Sequence, residues 1–197
     1  MDGAKSMARL VVAVGVVSIG TAMGPIAWLR DAGSSATMPN HGAIPSARTA
    51  PELTWFEQAK PFCNGVEAKA HLRTNPYPGD WDGAAHGAAC LALAGHLDDA
   101  RAIIDSLEGE QRWRAAGVVF DAGHPAADAG DDRAAGPLME LVVEFWPNHY
   151  MALYHAGVAR WEKGDETTGR ELLERFLLHY ELDDGFTRHA EALLGRR

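Results

Sequence analysis

The chain has 197 residues and a formal charge of −9, with 47% hydrophobic and 23% charged side chains. That length suits one domain plus an appendage, since a core of roughly 130–150 residues is large enough to stand alone. Residues 1–50 carry Lys5, Arg9, Arg30 and Arg48 against Asp2 and Asp31, a net +2, so residues 51–197 hold −11. An acidic body of this kind, without a Lys/Arg cluster, repels a phosphate backbone and argues against nucleic acid as a partner.

Residues 1–9 are followed by "LVVAVGVVSIGTAMGPIAWL", Leu10 to Leu29, which holds no charge. At about 1.5 Å rise per residue, twenty helical residues span a hydrocarbon core of about 30 Å. A cleaved signal peptide would have a shorter apolar core, and Ala22-Met23-Gly24 is followed by Pro25, so an uncleaved transmembrane anchor over residues 10–29 is the expectation. Lys5 and Arg9 precede the span while Arg30 and Asp31 cancel after it, which leaves residues 1–9 cytoplasmic and the acidic domain outside, in a periplasm if the cell is Gram-negative. Ala13, Gly20, Gly24 and Ala27 share one face of this helix, and such small residues let another transmembrane helix approach closely. Residues 30–51 have no apolar periodicity and three prolines, and read as a linker.

From residue 52 the chain reads helical throughout, because apolar residues recur every three or four positions and nothing alternates as a half-buried strand does. A first helix is expected over Glu52–Arg73, with an irregularity at Pro61, and "NPYPGD" (Asn75–Asp80) ends it. Three segments then run in step: "AGHLDDARAIIDSL" (94–107), "AGDDRAAGPLMELV" (129–142) and "KGDETTGRELLERF" (163–176). Each opens on a glycine, at Gly95, Gly130 and Gly164. Small residues follow at Ala100, Ala135 and Gly169, then large apolar ones at Ile104, Met139 and Leu173, and at Leu107, Val142 and Phe176.

In this period the chain resembles the tetratricopeptide repeat family, whose helix-turn-helix unit runs about 34 residues. "WRAAGVVF" places Trp113, Ala116, Gly117 and Phe120 where that family has its aromatic, small pair and aromatic, while "LYHAGVARW" and "AAHGAACL" fit less fully. Pro147 matches the proline that often ends a repeat. The resemblance covers Trp81–Tyr180 and implies an all-α solenoid of about three helix pairs within a repeat domain at 52–197, capped by a last helix near Asp184–Leu194. Stacking buries the faces that one pair cannot bury alone.

Catalytic chemistry finds little support. Ser106 is the single serine beyond residue 50 and has no G-x-S-x-G elbow. Cys63 and Cys90 would lie on helices that a solenoid packs together, where either a disulfide or two buried thiols fit. No H-x-x-x-H or H-E-x-x-H occurs among the nine histidines, which read as scattered. The stretch "VFDAGHPAADAGDDR" (119–133) concentrates His124 with Asp121, Asp128, Asp131 and Asp132, but it fails the calcium-loop pattern, having Met139 at the twelfth position from Asp128. It reads as an enlarged turn whose Asp131 and Asp132 cap a helix starting near Arg133. No metal ligand set and no cofactor are expected.

The functional expectation is a membrane-anchored, extracytoplasmic accessory or scaffold subunit of a larger membrane complex, such as a respiratory or photosynthetic one. Its partners would be other subunits or periplasmic proteins, with lipid around residues 10–29. The resemblance implies a concave face that includes Asp82, His86, Arg114, Asp121, Tyr154, His155, Trp161 and Glu162. Two alternatives are a binder of periplasmic peptides or envelope proteins with the span as a mere tether, and a metal-dependent enzyme using the 121–132 stretch.

Overall fold

Apolar residues at helical spacing become helices along the whole of residues 54–196, which are the residues that the computed structural model describes, and no strand occurs among them. The linker and the proposed span, with Ala13, Gly20, Gly24 and Ala27, lie outside these residues. Within residues 54–196 no helix is long and apolar enough to cross a membrane.

The expected first helix is not continuous. Helix α1 covers Trp55–Ala59, a 3-10 turn follows at Lys60–Phe62, and α2 runs over Ala68–Thr74. Pro61 cannot donate to the helical ladder, and the Asn64 side chain then accepts from the backbone N–H of both Val66 and Glu67, which folds the chain into a turn. At the start of α1, Thr54 and Glu57 form a reciprocal capping box.

Six helices make up the body: α3 (Trp81–Leu93), α4 (Leu97–Asp105), α5 (Glu110–Asp128), α6 (Asp132–Phe145), α7 (Tyr150–Glu162) and α8 (Glu166–His179). They form three consecutive hairpins, and each hairpin turn is the same device. Gly95, Gly130 and Gly164 have φ of 77°, 86° and 83°, a left-handed conformation that costs a side chain bearing a Cβ. The next backbone N–H then reaches the carbonyl five residues back, from His96 to Leu91, Asp131 to Ala126 and Asp165 to Arg160. The three in-step rows of the sequence are the buried rows of the structure: Ala100, Ala135 and Gly169 sit where the helices approach, and Ile104, Met139 and Leu173 are fully buried beneath them.

Successive helices pack along their lengths, α3 on α4 and α5, α5 on α6, α6 on α7, and α7 on α8. The last helix, α9 (Gly185–Leu193), is capped by Asp184 and folds onto α7 and α8. At the other end, Cys63 and Cys90 are bonded as a disulfide, which fastens the α1–α2 segment to α3. Around that bond Ala59, Ala68, Trp55 and Phe56 make a small apolar cluster of their own.

The stretch 119–133 is mostly helix, not an enlarged turn. Helix α5 has 19 residues where α3 and α7 have 13, and it runs straight through Pro125 to Asp128. A proline inside a helix forfeits one ladder bond, but the apolar face continues past it. Gly123 lets Leu138 of α6 close in, and Ala127 is buried one turn later. Packing overrides the local preference for a loop, and only Ala129–Asp131 remain as the turn.

Candidate functional site

The regular stacking is interrupted between the first helices of the second and third hairpins. Whereas α3 lies along α5, α5 and α7 make few close backbone approaches, and rings fill the gap between them. Phe120 of α5 touches both His124 and His149, at ring centroid distances of 4.4 and 4.1 Å, and His124 meets His155 of α7 at 5.3 Å. Outside these rings lies an open groove of about 730 Å³, with Phe120, Asp121, Trp146, His149, Tyr150 and Met151 among its walls.

Aromatic rings continue along one rim. Trp113 meets Trp146 edge-on at 5.1 Å, Trp146 meets His149 at 4.6 Å, and Tyr150 meets Tyr180 at 5.2 Å. Trp113 and Tyr150 are 40% and 44% exposed, high values for such large apolar surfaces. His149 also caps α7, its Nδ1 accepting from the Ala152 N–H at 3.3 Å. Burial holds its pKa below the ordinary histidine value, consistent with a neutral ring that accepts at Nδ1.

Behind the groove lies a cluster of histidines and carboxylates. The Nδ1 of His155 is 2.6 Å from Asp132 Oδ1, and the ring is 98% buried. With a proton on Nδ1 donated to that carboxylate, the lone pair of His155 resides on Nε2, and this atom has no hydrogen-bond partner. It faces Asp128 Oδ1 at 4.0 Å. The Nε2 of His124, 3.2 Å from the same oxygen, is likewise buried and without a hydrogen bond. One donor atom from each of His124, Asp128 and His155 therefore lies within 4.8 Å of the others. Two of the histidines that read as scattered, His124 and His155, are thus brought together. Asp131 caps α6 through the Ala134 N–H as expected, whereas Asp132 is the first residue of that helix and turns inward to His155.

The expected concave face does not assemble as one surface. Tyr154 and His155 are buried, because α9 lies over them: the Tyr154 hydroxyl is 2.6 Å from His189 Nδ1 and its ring packs on Phe186. Trp161 is half-buried against α8, with the Arg170 guanidinium over its ring at 5.6 Å. Asp82 and His86 pair with each other on α3, and His86 packs on Phe56. Arg114 pairs with Glu110 beside Trp113, and Glu162 stands exposed at the end of α7. Of that set only Asp121 lines the groove. The groove residues Trp146, His149 and Tyr150, and the pair His124 and Asp128, lay outside it. The signal for the pair was present as His124-x-x-x-Asp128, one helical turn apart, but it counts only if 119–133 is helix.

No protein-family model matches this chain, and no curated protein or solved structure matches it either. The tetratricopeptide resemblance accordingly rests on the residues that carry it.

Proposed function

We propose that this chain is a membrane-anchored, extracytoplasmic helical-repeat protein of the tetratricopeptide kind, which binds another protein in the groove between α5 and α7. The observation that carries the reading is the aromatic rim, Trp113 and Trp146 across to Tyr150 and Tyr180, left partly open beside the groove. Aromatic side chains bring large rigid area at little entropic cost, and interface centres are enriched in them. The Cys63–Cys90 bond favours an oxidising compartment, in keeping with an acidic domain held outside the membrane by residues 10–29. The partner is expected among subunits of a membrane complex such as a respiratory or photosynthetic one, with the chain in an accessory or assembling role.

Extraction of the full chain from its own membranes in mild detergent, followed by identification of the stoichiometric companions, tests this. A companion lost on Trp113→Ala plus Tyr150→Ala, yet kept on Val66→Ser at a still more exposed apolar site away from the groove, supports groove binding. Companions indifferent to the rim, or none at all, overturn it. Exchange of residues 10–29 for an unrelated span separates the subunit from a tethered periplasmic binder: loss of the complex supports docking in the membrane, and retention leaves the span as a tether.

A further inference from the structure

We propose that His124, Asp128 and His155 form a binding site for one divalent first-row transition metal ion of the zinc type, with Asp132 orienting His155. The proposal is independent of what the groove binds. Two buried imidazole Nε2 atoms without a hydrogen bond are a substantial cost, since a buried acceptor left unpaired forfeits its full desolvation penalty. Both converge on one carboxylate oxygen, at 3.2 and 4.0 Å.

A proton alone does not resolve this arrangement. Placed on His124 Nε2 it would make an ion pair with Asp128 at 3.2 Å but leave His155 Nε2 unpaired, and placed on His155 Nε2 it would point at Asp128 across 4.0 Å, too far for a hydrogen bond. A metal ion satisfies all three donors together. Zinc bonds of about 2.0–2.1 Å in a tetrahedral arrangement set donors about 3.3 Å apart. The His124–Asp128 spacing of 3.2 Å already matches, and His155, 4.0 Å from Asp128 and within 4.8 Å of His124, has to close in by up to about 1.5 Å.

The chemistry of the donors selects the class of ion. Two imidazoles and one carboxylate suit zinc and its neighbours, whereas calcium and magnesium prefer oxygen donors throughout. The second carboxylate completes the pattern. Metal-bound histidines commonly donate their other N–H to a carboxylate, which fixes the tautomer, and Asp132 stands in that relation to His155 at 2.6 Å. Two carboxylates and two neutral imidazoles around a divalent cation leave no net charge at this site.

The length of α5 gains a reason from this. Its 19 residues exceed those of α3 and α7 by six, and the added turns bring Asp128 one turn beyond His124, facing α7. Asp128 is half-exposed, so solvent reaches the ion and a fourth position is left for water or for a donor from a bound partner. Site and groove share His124, which lines one and belongs to the other.

The test uses the full chain, stripped with a chelator and titrated with zinc by calorimetry, then with cobalt(II) by visible absorption. One equivalent of zinc, with d–d bands of a four- or five-coordinate cobalt site and a rise of several degrees in melting temperature, is the expected result. His124→Ala and Asp128→Asn, both at partly exposed positions that tolerate change, should each weaken binding at least about tenfold. Asp132→Asn, which removes no ligand, should weaken it by about 10–100-fold. His71→Ala with His179→Ala should leave it unchanged. Less than about a tenth of an equivalent bound at micromolar zinc overturns the site, and so does stoichiometric binding of equal affinity in the His124→Ala, Asp128→Asn double variant.

Discussion

Gly136 of α6 lies so close to Ala159 of α7 that a methyl group at Gly136 would stand 2.3 Å from the Ala159 Cβ. That gap is far below van der Waals contact, and Ala159 has no flexible end that could move aside. Gly136→Ala should therefore destabilise the domain by about 1–3 kcal/mol through overpacking, although alanine is the better helix former. Gly117→Ala in α5 is the counterpart, for its methyl would meet only the Trp146 ring, at 3.5 Å. There the propensity gain should prevail, raising stability by up to about 1 kcal/mol. Thermal melts of the two variants should shift in opposite directions.

The disulfide closes a loop between positions 27 apart in sequence. In the chain-entropy account a crosslink of that span contributes about 3–4 kcal/mol. The other ties of the α1–α2 segment include the small cluster around the cysteines, Phe56 and Leu72 against the main core, the Phe56–His86 ring contact and the Lys69–Asp99 ion pair. Reduction, or Cys63→Ala with Cys90→Ala, should lower the melting temperature and open residues 54–74 to limited proteolysis while α5–α8 stay resistant. Equal cleavage with and without reductant would show that the bond does not hold this segment.

What could be read from the sequence, and what could not, follows from the range of the forces involved. The hairpin turns were legible because Gly95, Gly130 and Gly164 each meet a backbone requirement that few other residues meet, and the small and large residues behind them repeat the same close packing. The end of α5 was not legible: Gly123 and Pro125 disfavour a helix locally, and contact with Leu138 and burial of Ala127 keep the segment helical. His155 was out of reach for a different reason. Its partners Asp132 and Asp128 come from the preceding hairpin, and the helix that covers its neighbour Tyr154 comes from the far end of the chain. No local pattern records where α9 settles.

Two tyrosines fasten α9, and both should report alkaline loosening. Burial first, then the carboxylates of Asp132 and Asp184, pushes the Tyr154 hydroxyl up to about 12. The hydrogen bond that Tyr180 donates to Asp184 at 2.6 Å raises it to about 12 as well. A folded pKa above the unfolded value of about 10 means that the stability they supply is complete below pH 10 and is lost as pH climbs to about 12. Melting temperature followed across that window should fall in the native chain. Tyr154→Phe with Tyr180→Phe should start lower but decline less, and an identical decline would remove the two hydroxyls as its cause.

On the acid side a group to watch is His149, which stands in the groove wall and caps α7. Burial lowers its pKa from 6.5, with His124 acting in the same direction and Asp121 against it. Its Nδ1 accepts from the Ala152 N–H, so protonation there both charges a half-buried ring and removes the cap. A depressed folded pKa places the stabilisation at neutral pH and above, and it is lost as pH falls below 6.5 through the folded value. His149→Asn keeps an acceptor suited to the cap position but carries no titrating ring. That variant should hold its melting temperature between pH 6.5 and 5 where the native chain loses several degrees. If both decline together, the loss belongs to other groups, and His149 is a cap whose charge state the fold does not register.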